Sequence, residues 1–381
     1  MHRLAAIPGA ADEGGDTFVE QAPAPVLLLT SADTDLLVLE PLLEAEPQLL
    51  GAELRGLNLS ALAHPAVVDH YLATTARAAQ IVVVRLLGGR GHWSYGLERL
   101  RHWAEGRPGR QLLVLAGTAE EERVLADLGT GDPGLAVALA RCLRVGGPAN
   151  GRLVLAALGA LLRGQGVDPP EPQPLTDPLP HDWRQESGER IGVIAYRALL
   201  QAGDLELMEA LLAGLRQQGL CPRALWVSGL RDGGVQQGVQ QLLARERVQA
   251  VLCCTSFASV QFEEASLGAP LWEALDVPVL QVLSSSQPRQ RWLASSIGLS
   301  PTDLTLQVAL PELDGRITTR IGAFKECVGA GDQLGAALQR YRPDPERLRW
   351  VCQLVANWIA LRRTPASERR GPGAGQLPHP Q

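Results

Sequence analysis

The sequence predicts an α/β protein made of two open parallel sheets, with a mostly helical segment toward its C-terminal end. Three observations predict it. Short aliphatic runs alternate with amphipathic stretches, which joins parallel strands through crossover helices. Six prolines within residues 169–180 interrupt that alternation, and it then restarts. Aromatics are only 4% of the chain and half of them are Trp, so the core must be mostly Leu, Val and Ala.

In the first half, Val26–Thr30 is a buried strand, and the polar Ser31-Ala32-Asp33-Thr34 that follows reads as a helix N-cap. A second strand fits Glu53–Asn58, and Pro65 opens a helix running to about Ala79. Ile81–Leu87 is the clearest strand, followed by a glycine-rich turn and a helix from about Tyr95 to Glu105. Gln111–Ala116 is a fourth strand, and Thr118-Ala119-Glu120-Glu121 starts the next helix as a capping box. Helix continues to about Arg163.

Proline fixes φ and lacks an amide donor, so residues 169–180 form an extended linker or a segment hugging the surface. Beyond it, strands fit Arg190–Tyr196, Leu220–Val227, Ala250–Cys254 and Val277–Leu283. Helices fit Asp204–Gln218, Gly234–Glu246 and a stretch near Gln290–Ser296, and Gln333–Arg363 reads as mostly helical, broken near Pro343 and Pro345. Each half is thus an open sheet of Rossmann-like or flavodoxin-like type. The expected organisation is a flexible N-terminus (1–24), a first α/β domain (25–165), a linker (166–188), a second α/β domain (189–330), a helical segment (331–370) and a disordered tail (371–381).

Composition excludes several function classes. Hydrophobic residues are 46% and charged residues 20% of 381, the balance of a globular chain rather than a disordered one. A net charge of −6 without a basic block argues against nucleic acid. No apolar run is long enough for a membrane span, and the N-terminus lacks a signal-peptide core. Six cysteines in a chain of this length read as reduced thiols in a cytoplasm. Lys325 is the only lysine; coding bias explains the arginines that stand elsewhere.

Few residues suggest chemistry. Gly88-Gly89-Arg90-Gly91-His92-Trp93-Ser94-Tyr95-Gly96 follows a parallel strand, where open sheets bind ligands. Arg90, His92, Trp93 and Tyr95 offer cationic, titratable and stacking groups for a ligand or interface, or pack beneath the next element. The loop matches neither a Walker A sequence nor the dinucleotide fingerprint. His64 and His70 diverge by roughly 120° on a helix and are poor co-ligands. Cys253-Cys254 lacks metal or redox spacing. Thr255 and Ser256 sit at a strand's carboxyl end, as does Ser284-Ser285-Ser286, placed to touch a ligand or cap a helix. Glu312 and Asp314, if extended, share a face as an acid–base or metal pair requires, although Asp-Gly is a turn pair and Arg316 could neutralise either. These residues alone define no reaction, and the fold alone also permits an unrelated sugar- or nucleotide-handling α/β protein as a weaker reading.

Several strings, in order, resemble the N-terminal part of the large subunit of aerobic cobaltochelatase, whose family also includes the porphyrin-binding H-type subunit of magnesium chelatase. They are Leu29-Thr30-Ser31-Ala32-Asp33-Thr34-Asp35, Arg85-Leu86-Leu87-Gly88-Gly89 with Trp93 and Tyr95-Gly96, and Leu112-Leu113-Val114-Leu115-Ala116-Gly117. Thr255-Ser256-Phe257-Ala258, Val277-Pro278-Val279-Leu280-Gln281-Val282 and Gly298-Leu299-Ser300-Pro301-Thr302-Asp303-Leu304 continue them. Leu310-Pro311-Glu312-Leu313-Asp314-Gly315-Arg316-Ile317 with Phe324-Lys325 completes the set.

The resemblance covers about Pro25 to Arg370 and implies ATP-dependent insertion of a divalent metal into a tetrapyrrole. The macrocycle is bound by the large subunit, and separate AAA+ ATPase subunits use ATP and Mg. The wording of the strings favours Co and a corrin precursor, hydrogenobyrinic acid a,c-diamide, in cobalamin biosynthesis; a magnesium chelatase H-type subunit and a stand-alone tetrapyrrole-binding or partner-docking module are the alternatives. His92 stands where the family commonly has an aromatic. Family members are much longer, and the groups proposed for metal insertion lie largely beyond this chain. The resemblance therefore transfers no catalytic residue and no metal ligand, and implies a chain inactive alone.

After Arg370 the family continues with a strand reading Ala-Leu-Val-Leu-Ala-Asn-Tyr-Pro. One nucleotide string encodes both that strand and Gly371–Gln381, read one base apart, so the tail is expected to be out of frame.

Overall fold

The computed structural model describes residues 18–87, 89–259 and 270–365. Its first half builds a four-stranded, wholly parallel sheet A in the order β2-β1-β3-β4. The strands are β1 (Val26–Thr30), β2 (Leu54–Asn58), β3 (Ile81–Leu86) and β4 (Gln111–Ala116). Every residue of β1 and β3 is buried, as strands covered on both faces must be. Helices α1 (Asp33–Ala45), α5 (Pro133–Val145) and α6 (Gly147–Leu162) cover one face. Helices α2 (Pro65–Ala73) and α3 (Ser94–Glu105) cover the other, and the short α4 (Glu122–Ala126) follows β4.

The second half builds a seven-stranded sheet B in the order β11-β10-β9-β8-β6-β7-β5. Its parallel centre is β6 (Arg190–Tyr196), β7 (Cys221–Val227), β8 (Ala250–Cys253), β9 (Val279–Ser285) and the first part of β10 (Ile317–Gly331). Antiparallel strands β5 (Leu179–His181) and β11 (Ala336–Pro343) close its two edges, so this sheet is mixed. Helices α8 (Glu206–Gln217) and α14 (Pro345–Arg363) pack one face, and α9 (Gly233–Glu246) and α10 (Pro270–Leu275) the other. Four short helices complete this half: α7 (Arg197–Gln201), α11 (Arg289–Ala294), α12 (Pro301–Leu304) and α13 (Leu310–Leu313). A single π turn, Thr305–Ala309, separates the last two.

The strands expected from aliphatic runs are present within a residue or two, and several local expectations need correction. No side chain caps α1; Thr30 Oγ1 instead accepts the Ala32 amide at 3.0 Å. The expected capping box at Thr118 is absent: α4 starts at Glu122 behind a left-handed Glu121. Helix α2 stops at Ala73 and a 3-10 turn, Thr75–Ala78, takes its place. His64 does cap α2, its Nδ1 accepting the Ala66 amide. The proline-rich stretch hugs the surface, where Asn150 clamps Gln173 by two hydrogen bonds, and its end becomes β5. Pro180 is tolerated there because β5 lies at the edge of the sheet.

The largest correction concerns the C-terminal segment. The expected helix from Gln333 is replaced by β11, and only Pro345–Arg363 is helical. Ala336-Ala337-Leu338 has local helix propensity, but pairing along β10 from Ala323 to Gly331 overrides it. The β10–β11 hairpin runs past the end of β9 and docks its tip on sheet A. Leu334 is fully buried in the core between α1 and sheet A, and its carbonyl accepts the Gly56 amide at 3.0 Å. A Cβ on Gly56 would lie 2.7 Å from Leu36 Cδ2 and 3.2 Å from Leu334 Cδ2, so this approach requires glycine. The Glu40 carboxylate accepts the Gln333 and Leu334 amides, each at 2.9 Å. Gln21 lies in the stretch expected to be flexible, yet its Nε2 donates to the carbonyls of Gly56, Leu334 and Gly335. Residues 1–17 and the tail 371–381 lie outside the described residues.

Leu334→Ala would leave a cavity shared by both halves and is expected to cost about 2–5 kcal/mol. Urea unfolding followed by fluorescence checks this; an unchanged midpoint would show that the hairpin tip does not join the two cores.

Candidate functional site

In both sheets the first parallel strand sits between the second and the third: β1 between β2 and β3, and β6 between β7 and β8. The topological switch points therefore fall between β1 and β3 in sheet A and between β6 and β8 in sheet B. The carboxyl ends of β3 and β8 lead into Arg90, His92, Trp93, Tyr95, Thr255 and Ser256, whereas Glu312, Asp314 and Arg316 stand just before β10.

In sheet A, the switch point is occupied by structural contacts. Arg85 holds Asp35 with one nitrogen 2.6 and 2.7 Å from the two carboxylate oxygens, and Thr30 donates to the same carboxylate at 2.6 Å, all buried. In the loop after β3, Gly89 has φ +76 and Arg90–His92 makes one 3-10 turn. Trp93 is buried and its Nε1 donates to the Leu62 carbonyl at 2.9 Å. A Cβ on Gly96 would fall 2.2 Å from the Trp93 ring, so the Trp–Gly spacing is a packing requirement. Tyr95 is exposed and donates to Asp69, which also receives Arg99 Nε, each at 2.8 Å. The Tyr95 hydrogen bond helps hold the Asp69 carboxyl below its ordinary pKa. His92 lies on the surface, and desolvation by the surrounding loop lowers its pKa. Trp93 is thus a packing residue, while His92 and Tyr95 remain on the surface.

In sheet B the fold gathers residues that are distant in sequence. Arg316 and Asp314 have fully buried side chains and pair at 2.6 Å. One Arg316 nitrogen also donates to the Thr255 carbonyl at 3.1 Å and to Gln281 Oε1 at 3.2 Å, while Asp314 accepts the Ser259 amide at 2.7 Å. This pair ties the carboxyl end of β8 to Gln281 of β9 and to the start of β10. Glu312 does not share a face with Asp314: the two lie on a helical turn rather than an extended chain, and Glu312 is exposed and bonded to Thr318. The shared face that an acid–base or metal pair would need is absent, and the alternative reading, a turn with Arg316 neutralising Asp314, is the one observed. Thr255 is buried, its hydroxyl 3.2 Å from the Cys253 thiol, and it caps no helix among the described residues. Ser256 receives Gln307 Nε2 on its hydroxyl at 2.8 Å and the Tyr196 hydroxyl on its carbonyl at 2.8 Å. Burial raises the pKa of Cys254 and leaves it a protonated, unreactive thiol. Ser285 and Ser286 bind Asp303 rather than capping α11.

The two carboxyl edges meet at the only lysine. Lys325 Nζ, on β10, pairs with Asp33 at the start of α1 at 2.7 Å, and Asn58 donates to the other oxygen of Asp33 at 2.6 Å. Burial opposes the Lys325 charge, but the Tyr341 and Asp33 fields outweigh it and the pKa lies above the ordinary lysine value. Sequence reasoning noted Lys325 but attached no role to it, and it missed Asp33, Tyr196, Asp303 and Gln307. Two signals were present: a single lysine in an arginine-rich chain, and a lone glutamine in the apolar run Leu304–Leu310.

Asp204 supplies a pH test of this region. It accepts the Tyr341 amide at 3.0 Å, and burial raises its pKa. The folded state therefore holds that proton more tightly than the unfolded one. The associated stability is present below the unfolded pKa of about 3.9 and is lost as pH rises through the folded value. Asp204→Asn, which keeps the accepting oxygen, should raise Tm near pH 7 and give no gain near pH 4; a lower Tm at neutral pH would contradict the burial argument.

Known proteins are similar to this chain. The model of the family "CobN/Magnesium Chelatase" matches residues 140–370. The aerobic cobaltochelatase subunit CobN of a Sinorhizobium species is 31% identical over 97% of this chain and 30% of that protein. The H-type subunit of the Rhodobacter capsulatus magnesium chelatase is 26% identical over 47% of this chain and 16% of that protein. The solved catalytic subunit of cobaltochelatase from Mycobacterium tuberculosis aligns with 89% of this chain and 27% of its own length, at 30% identity and a TM-score of 0.53. The chain spans about 30% of the length of the cobaltochelatase relatives it matches.

Proposed function

The chain belongs to the CobN/magnesium-chelatase family, and from that premise we propose that it forms the N-terminal, tetrapyrrole-facing part of an ATP-dependent metal chelatase large subunit. The metal inserted is cobalt and the macrocycle a corrin precursor, hydrogenobyrinic acid a,c-diamide. One observation carries the choice of branch: similarity to a cobaltochelatase subunit runs through 97% of the chain, whereas similarity to magnesium-chelatase subunits covers 47–50% of it.

In such a reaction the inner N–H protons of the macrocycle leave as the divalent metal enters. This segment contributes binding and orientation. Its carboxyl edges offer hydroxyls, amides and ion pairs, and no group of three His, Cys, Asp or Glu is placed to hold a metal among the described residues. AAA+ ATPase partners supply the work from ATP and Mg, and the complex acts in the cytoplasm. No helix among the described residues is long and apolar enough to cross a membrane.

Absorbance titration of the chain tests the reading. Saturable binding of hydrogenobyrinic acid a,c-diamide, tighter than that of protoporphyrin, is expected. Tighter protoporphyrin binding would move the chain to the magnesium branch, and binding of neither macrocycle would overturn the proposal.

A further inference from the structure

The switch point of sheet B contains a polar group that the fold leaves unused. Gln307 is 7% exposed; its Nε2 donates to Ser256 Oγ, and its buried Oε1 has no hydrogen-bond partner among the described residues. An unpaired buried carbonyl costs free energy and calls for an explanation. Gln307 lies on the π turn Thr305–Ala309, a local widening of the helix that recurs at functional sites. Phe257, whose amide donates to the Leu306 carbonyl at 3.0 Å, holds a left-handed φ of +64 and keeps an exposed ring beside this turn. A hydroxyl that accepts from Gln307 retains its own proton, so Ser256 can still donate.

We propose that this place is a subsite for a carboxamide, in which Gln307 Oε1 accepts an amide N–H and the Ser256 hydroxyl donates to the amide carbonyl. A carboxamide is complementary because it carries a donor and an acceptor side by side. A carboxylate carries acceptors only and sets oxygen against the Gln307 oxygen. The subsite therefore favours amide over acid on an otherwise identical ligand, and it rests on the reading of the chain as a tetrapyrrole-binding segment.

The test titrates the whole chain with two probes sharing one macrocycle, hydrogenobyrinic acid a,c-diamide and hydrogenobyrinic acid. The diamide should bind about tenfold more tightly to the wild type, a difference of about 1.4 kcal/mol. In Gln307→Leu the preference should vanish, diamide binding falling while the acid, freed of the opposed oxygen, binds no more weakly than to the wild type, and Ser256→Ala should also weaken diamide binding. Circular dichroism and Tm establish that each variant is folded. Should Gln307→Leu fail to fold, Gln307→Glu serves instead, because a carboxylate there should reduce diamide binding. Equal binding of the two probes by the wild type, or a preference that persists in Gln307→Leu, overturns the subsite. Binding of neither probe overturns the tetrapyrrole reading itself.

Discussion

The β10–β11 hairpin is the constraint on which the rest of the molecule depends. Its base belongs to sheet B by strand pairing, while its tip belongs to sheet A by burial of Leu334 beneath Gly56. Between base and tip, Lys325 reaches Asp33. The apolar tip supplies most of the attraction, because a buried leucine contributes about 1.5–3 kcal/mol. The ion pair sets register: an exposed pair is worth about 0–1 kcal/mol, whereas breaking a buried one costs about 3–5 kcal/mol. Lys325 and Asp33, at 20% and 12% side-chain exposure, lie between these limits.

Because the hairpin fixes the two sheets together, the carboxyl end of β1 and the loops beyond β8 and β9 belong to one continuous polar region. Most of its polar groups are committed to structure. Arg316 and Asp314 neutralise one another, Arg85 and Asp35 do the same, and Asp303 is consumed by two serines. Such satisfied networks specify geometry at little net gain in stability. Their value lies in holding the loops that carry Ser256, Phe257 and Gln307 in one arrangement.

The sequence revealed what is local. Fully buried parallel strands announce themselves as aliphatic runs, and Arg190–Tyr196 and Gln111–Ala116 have the bounds expected of them. Trp93 packs as one of its two readings required. What escaped is non-local. The strand character of Ala336–Pro343 comes from β10, and an alanine-rich segment gives no sign of it. That Arg316 neutralises Asp314 is one of the local readings, whereas Ser259, whose amide Asp314 also accepts, meets it only in the folded chain. The Gln307 oxygen lacks a partner among the described residues, and no sequence periodicity encodes that.

If the carboxyl edge of sheet B, held by the hairpin, faces the macrocycle, ligand binding must protect that edge. Hydrogen–deuterium exchange of the chain with and without hydrogenobyrinic acid a,c-diamide addresses this most directly. Slower exchange should appear at the amides of 255–259 and 303–309 and leave α5 and α6 unchanged. Protection confined to α5 and α6, or no change at the edge under saturating ligand, would contradict the account.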